Sequence, residues 1–261
     1  SLYSSSLNTA VGYESLKLTT KGTKNVSIGA NSMTELTYGN ENTNVGYYGL
    51  YSVDYNQHNT NVGAYGLSSL TKGIHVDDTQ EEMHNDNTNV GSEGAKNLKH
   101  GSGNVSVGRK ALYSSVYGEY NTMIGYNAGL EATGKYNTCI GSESDIRTND
   151  DLSNNKGINN NVLVGRNTKN YSYQSQTYTY YDISLATALG SDARILHSRS
   201  TAIGARSITQ REDQIILGGS AKGLENDHGM PDDNNFTKYP DITIPGLLDV
   251  SAGACIGGDI V

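Results

Sequence analysis

Asn42-Thr43-Asn44-Val45-Gly46 recurs residue for residue at 59–63 and at 87–91, and near copies run along most of the chain. Aligned on the glycine, the copies fall at Gly12, Gly29, Gly46, Gly63, Gly91, Gly108, Gly125, Gly141, Gly165, Gly190, Gly204 and Gly218. The steps between them are 17, 17, 17, 28, 17, 17, 16, 24, 25, 14 and 14 residues. Constant short steps broken by a few long ones mean stacked supersecondary units with loops inserted between some of them. Function is therefore to be sought first where the step lengthens.

The residue before each glycine is a branched aliphatic throughout, from Val11 and Ile28 to Ile203 and Leu217. Two residues earlier stands Thr or another β-branched residue, as in Thr9, Val26, Thr43, Thr60, Thr88, Thr122 and Ile215. β-Branched residues at alternate positions predict a short strand that turns this face, threonine included, inward. The residue between them points the other way. It drifts from Ser27, Asn44, Asn61, Asn89 and Ser106 to Met123, Cys139, Leu163, Ala188, Ala202 and Ile216. A face that turns apolar along the chain is expected to leave water.

The glycine is expected to end the strand with a positive φ or with a close approach of another chain. Three residues on comes a small residue, such as Ser32, Gly49, Gly66, Gly94 or Ala111, often followed by an aliphatic that closes the coil, such as Met33, Leu50 or Leu112. Asn42, Asn59, Asn87, Asn104 and Asn121 form a ladder expected to hydrogen-bond between coils through side chains or turn backbone. The fold class is all-β: a parallel β-solenoid of about twelve coils, one per glycine. At about 4.8 Å per strand these coils stack to roughly 55 to 60 Å.

Composition agrees with a thin, repeated core. Hydrophobic residues make up 35% even with 19 Tyr counted, Trp is absent and there is one Phe, so the chain cannot bury a large globular core alone. A net charge of −8 argues against nucleic acid or an anionic membrane as partner. Cys139 and Cys255 are too few for a disulfide framework or a zinc site. No apolar run of about 18 residues suggests a membrane span. The chain opens in mid-repeat at Ser1, without a signal peptide, and reads as cut from a longer protein. Pro231, Pro240 and Pro245 all lie beyond the last coil, as expected if the earlier region is a continuous ladder that proline would interrupt. Residues 1–219 are thus expected to form the solenoid and 220–261 a collar or connector, with short strands at 241–244 and 247–250.

The unit Ser-Thr-Ala-Ile-Gly-Ala-Arg-Ser at 200–207, with steps of 14 on either side, resembles the head repeat of trimeric autotransporter adhesins. In that family Asn-Ser-Val-Ala-Ile-Gly is followed by two variable residues and Ser. The longer units, such as Asn-Thr-Ala-Val-Gly-Tyr-Glu-Ser-Leu at 8–16, are similar to arrays in tail-fibre and surface-fibre proteins of phages and large DNA viruses. Asp-Gln-Ile-Ile-Leu-Gly-Gly at 213–219 and Ile-Pro-Gly-Leu-Leu-Asp-Val at 244–250 resemble the end of such viral arrays. The 17-residue steps, Thr for the family's Val and three inserted loops are departures. The resemblance implies a homotrimer of left-handed β-rolls, with the drifting middle residues partly facing the other chains. It also implies an extracellular place, on a virion or a bacterial surface, and attachment to a host-surface glycan or protein receptor.

The insertions supply the candidate sites. The first, 73–86, holds Asp77, Asp78, Glu81, Glu82 and Asp86 with His75 and His84. Their spacing matches neither a calcium loop nor a zinc pair, so a solvated acidic loop is favoured over a metal site. The second, 145–160, reads as a polar surface loop. The third, 169–184, carries Tyr171, Tyr173, Tyr178, Tyr180 and Tyr181 beside Gln174 and Gln176. Tyrosines so spaced suit receptor contact or a β-hairpin whose rings pack on the trimer.

Tyr13, Tyr47 and Tyr126 follow repeat glycines and are expected to cover coil edges, with a binding stripe as the other reading. Cys139 is expected to pack as a small apolar side chain. An ion on a trimer axis would require Asn44, Asn61 and Asn89 to face that axis. Six histidines show no pairing with a nucleophile motif, so neither an enzyme nor a cofactor is expected. The leading expectation is a structural and adhesive trimeric fibre segment. The alternative is a polysaccharide-binding or polysaccharide-degrading fibre module, which would need two carboxylates at a fixed separation. Ice binding is disfavoured because the repeated Thr is expected inward and no Thr-X-Thr ladder occurs.

Overall fold

The computed structural model describes residues 5–51, 56–70, 86–132, 134–147, 158–174, 177–180, 183–209 and 211–218. The repeat becomes short strands: β1 (Thr9–Val11), β2 (Val26–Ile28), β3 (Thr43–Val45), β4 (Thr60–Val62), β5 (Thr88–Val90) and β6 (Val105–Val107). There follow β7 (Gly118–Glu119), β8 (Thr122–Ile124), β9 (Gly134–Lys135), β10 (Thr138–Ile140) and β11 (Val162–Val164). The last are β12 (Tyr171–Gln174), β13 (Thr177–Tyr180), β14 (Thr187–Leu189), β15 (Thr201–Ile203) and β16 (Ile215–Leu217). Twelve of them form one sheet in the order β1-β2-β3-β4-β5-β6-β8-β10-β11-β14-β15-β16. All its neighbours are parallel and in register, so that Asn44 pairs with Ser27 on one side and Asn61 on the other. The chain is an all-β parallel solenoid of about ten turns, β7 pairing with β9 and β12 with β13 in small sheets of their own.

The faces of the strands are the reverse of the sequence expectation. The middle residue is the inward one: Ser27, Asn44, Asn61, Asn89, Ser106, Met123, Cys139, Leu163, Ala188 and Ala202 are all buried inside the coil. The flanking Thr is half exposed, as in the burial of Thr43, Thr60 and Thr88, and the aliphatic before the glycine is exposed, Val45 at 39%, Val62 at 42% and Val90 at 43%. One ground against an ice-binding face, an inward Thr, therefore falls. The other stands, because the residue two beyond each Thr is Val, Ile or Leu.

The inward position tolerates Asn because the coil is narrow and its polar atoms find one another. Asn61 Nδ2 donates to Asn44 Oδ1 and Asn89 Nδ2 to Asn61 Oδ1, both at 2.6 Å, and Ser106 Oγ donates to Asn89 Oδ1 at 2.7 Å. Below them Asn44 Nδ2 reaches Ser32 Oγ, which touches Ser27 Oγ, which in turn accepts from Ser15 Oγ. A buried polar group is tolerable only when paired, and this column pairs through six coils. Asn44, Asn61 and Asn89 thus face the interior of their own coils and not a trimer axis, so that condition for an axial ion fails.

The expected Asn ladder is a second column. Each Oδ1 accepts the backbone N–H of the next Asn, from Asn25 to Asn8 at 2.8 Å through Asn42, Asn59, Asn87, Asn104, Asn121 and Asn137 to Asn161 on Asn137 at 3.1 Å. Most of the side-chain amides also donate to a turn carbonyl, as Asn87 does to Gly101 O at 2.9 Å and Asn104 to Gly118 O at 2.7 Å. Both alternatives foreseen for the ladder, side chain to side chain and side chain to turn backbone, occur together.

Corners are made by left-handed residues. In one coil Glu41, Tyr48 and Leu50 have φ of 57°, 55° and 46°, a conformation costing roughly 1–2 kcal/mol for an L-residue. Bonds to adjacent coils hold them there: Glu41 N–H to Thr23 O at 3.0 Å, Tyr48 to Ala30 O at 3.2 Å and Leu50 to Gly66 O at 3.1 Å. At the repeat glycine no substitute fits. Gly46 has φ 152° and a Cβ there would overlap the carbonyl of Gly63. The close approach is thus by the next coil of the same chain, not by another chain. The apolar core is a thin stack of Met33, Leu36, Leu50, Leu67, Leu70, Leu98, Leu112, Met123 and Leu163, continued by Ile146, Ile158, Ile183 and Ile195.

Candidate functional site

Three features of the surface could meet a partner. The first is the third insertion. Its strands β12 and β13 are antiparallel, with Tyr171 opposite Tyr180 and Tyr173 opposite Tyr178, so the tyrosine spacing is that of a hairpin. Tyr181 and Gln176 lie outside the described residues, as do Asp77, Asp78, Glu81 and Glu82 with His75 and His84, most of the loop at 145–160 and the segment 220–261. Asp86, at the end of the first insertion, is described. Its carboxylate lies 3.4 Å from His58, whose other nitrogen is 3.2 Å from Glu41, itself 2.7 Å from Lys24. This exposed row of polar and charged groups is a corner decoration of little energetic weight.

The second feature is the outer face of the main sheet. Ile28, Val45, Val62, Val90, Ile124, Ile140 and Ile203 are all exposed large hydrophobics in one in-register row. Beside it Tyr47, 44% exposed, meets Tyr65 edge-on at 5.4 Å, and Tyr65 stacks near Tyr48 at 5.8 Å with the Lys96 ammonium 5.0 Å above its ring. Tyr13 and Tyr126 are exposed at 71% and 45%. Tyr47 thus has ring contacts along the coil edge, Tyr126 is exposed to the same extent as Tyr47, and Tyr13 stands mostly in solvent.

The third feature escaped the sequence reading. In the 17-residue coils the fourth residue after the repeat glycine is left-handed, Met33, Leu50, Leu67 and Leu112 being buried aliphatics. In the later coils that place is taken by Asp145, Lys169 and Arg194, joined by parallel bridges, and the next residue turns in instead, as Ile146 and Ile195 do. The mismatch leaves a cavity of about 180 Å³ lined by Asn127, Leu130, Glu143, Asp145, Arg147 and Lys169. The sequence signal was available: charged residues where the repeat had been apolar.

Asp145 is buried and bonded by Arg147 Nε at 2.6 Å, and Arg147 Nη1 also meets Glu131 at 3.2 Å. Burial holds the Asp145 carboxyl above the usual carboxylate range although the guanidinium opposes it. Burial likewise lowers the Lys169 ammonium, with Asp145 opposing. Cys139 is a buried free thiol, pushed up by burial, in keeping with a packing role.

Among the described residues no helix is long and apolar enough to cross a membrane, and no three His, Cys, Asp or Glu side chains converge on a metal-sized site. No family model matches this sequence, and no similar curated protein or solved structure was found.

Proposed function

We propose that the chain is a structural and adhesive segment of a homotrimeric fibre of left-handed β-rolls, carried outside the cell on a virion or a bacterial surface. Its inserted loops would meet a glycan or protein receptor on the host. The observation that carries the reading is the exposed aliphatic row along the outer face of the main sheet, with Val45, Val62 and Val90 about two-fifths exposed. Burying the remainder of each such side chain stabilises association by on the order of 1 kcal/mol, and the row repeats through most of the coils. A contiguous apolar face of this kind marks an interaction surface. In-register stacking carries the row from coil to coil, which suits copies related by rotation about an axis along the stack. The resemblance of 200–207 to trimeric adhesin heads supplies the number three, and three copies of each loop would raise avidity without tight single sites.

Sedimentation equilibrium tests the assembly. A trimer is expected, and Val62→Glu with Val90→Glu dissociates it; a folded monomer of the parent chain would overturn the reading. A glycan array on the assembled protein, with Tyr178→Ala and Tyr180→Ala, tests the hairpin as the contact. Binding that survives both changes removes the hairpin from the proposal, and shortening of a polysaccharide would favour the degrading module instead.

A further inference from the structure

We infer that the cavity between Asn127 and Lys169 is a binding site for one neutral sugar ring. The inference deepens the attachment reading and rests on it for its biological sense, but it concerns a different place from the tyrosine hairpin.

Size sets the first limit. About 180 Å³ is far more than one water needs and less than an extended ligand fills, so the cavity suits a single small ring. Charge sets the second. Two carboxylates, Glu143 and Asp145, and two cations, Arg147 and Lys169, line the same cavity. Arg147 is committed to Asp145 at 2.6 Å and Glu131 at 3.2 Å, so it is not the open fork that a phosphate or carboxylate ligand requires. A metal ion would face two cations in so small a space. A ligand without net charge meets neither objection.

Hydrogen bonding then selects among neutral molecules. Glu143 and Asp145 accept, Lys169 donates and Asn127 does both, while Leu130 supplies an apolar patch. The Asn127 Oδ1 atom is buried without a hydrogen-bond partner. An unpaired buried acceptor costs free energy, and on a residue of the cavity lining a ligand hydroxyl is the partner that would satisfy it. A pyranose carries that mixture: hydroxyls that both donate and accept, around a ring with a C–H face for Leu130. Asp145 is held rigidly by Arg147 and by its own place in the bridged row, so the wall is preorganised.

The test is a titration of the full chain with the methyl glycosides of galactose, glucose and mannose, read by amide shifts in ¹H–¹⁵N spectra. At least one glycoside is expected to move the amides of Leu130, Glu143 and Lys169 in a saturable way. Leu130→Phe, which fills the cavity without touching a charge, and Asn127→Leu, which removes the amide, are each expected to weaken binding at least tenfold. Tyr178→Ala with Tyr180→Ala is expected to leave it unchanged. If no glycoside moves these amides, or if Leu130→Phe binds as the parent does, the cavity is a water pocket and the inference falls. The trimer and its hairpin contact are untouched by that outcome, because sedimentation and the hairpin variants read them separately.

Discussion

The side-chain oxygen of Asn61 occupies the space that a methyl group on Gly66 would need. The same relation joins Asn44 to Gly49 and Asn89 to Gly94. Where the inward strand residue is Ser106 or Met123, the residue five later is Ala111 or Ala128. In these coils the two positions compete for one space, so a longer side chain at the first goes with glycine or alanine at the second.

Gly66→Ala is therefore expected to destabilise the protein by about 1 to 3 kcal/mol through overpacking. Asn61→Ser in the same chain removes one of the two overlaps, the other being with Asn89 Nδ2, and should recover part of the loss, although Asn61 gives up its bonds to Asn44 and Asn89. Urea denaturation of the two single variants and the double variant measures the coupling. Strict additivity would show that the two positions do not compete for the same space.

The Asn87 side chain holds four bonds in the ladder: to Asn59 Oδ1 and Gly101 O as donor, and from the backbone and side chain of Asn104 as acceptor. Asn87→Ala strands buried donors and acceptors on both neighbouring coils, each costing about 1 to 3 kcal/mol. A loss on the order of 3 kcal/mol is expected, far more than for an exposed side chain such as Lys24. Thermal unfolding of the two alanine variants compares them directly, and equal small losses would contradict the ladder's role.

Asp145 gives a pH dependence of defined sign. Its folded pKa is raised by burial, so the folded chain holds the proton more tightly than the unfolded one. The corresponding stability is fully present below the unfolded carboxylate value of about 3.9 and is lost as pH rises through the higher folded value. Asp192 and Asp213, whose values are lowered, act with the opposite sign and lose their contribution as pH falls. The difference in melting temperature between Asp145→Asn and the parent isolates the first effect. It should move in favour of the variant as pH rises from about 4 to 7, and a difference that does not change with pH would refute it.

The architecture was legible because spacing is independent of orientation: twelve glycines marked twelve main-sheet strands, and the alternating tyrosines marked the hairpin. The inward face was not legible from alternation alone. A strand of three residues offers two β-branched positions against one, and that β-branched pair suggested the inside. What decides orientation is volume. Asn44 is matched by Gly49 and Met123 by Gly129, a complementarity across the turn that becomes visible once the coil is closed. The cavity went unread for a related reason, since Asp145 and Lys169 are far apart in sequence and become neighbours only across a coil with an inserted loop.

The bonds joining successive coils, such as Thr60 N–H to Asn87 O at 2.8 Å and Gly63 N–H to Val45 O at 2.8 Å, run along the stack. Tension on the two ends of such a rod therefore meets these bonds in series, one coil after another. Each 17-residue coil that opens releases about 60 Å of slack chain at roughly 3.5 Å per residue. A rod built this way yields under load by lengthening in measured steps, and a sudden pull is taken up as extension of the stack.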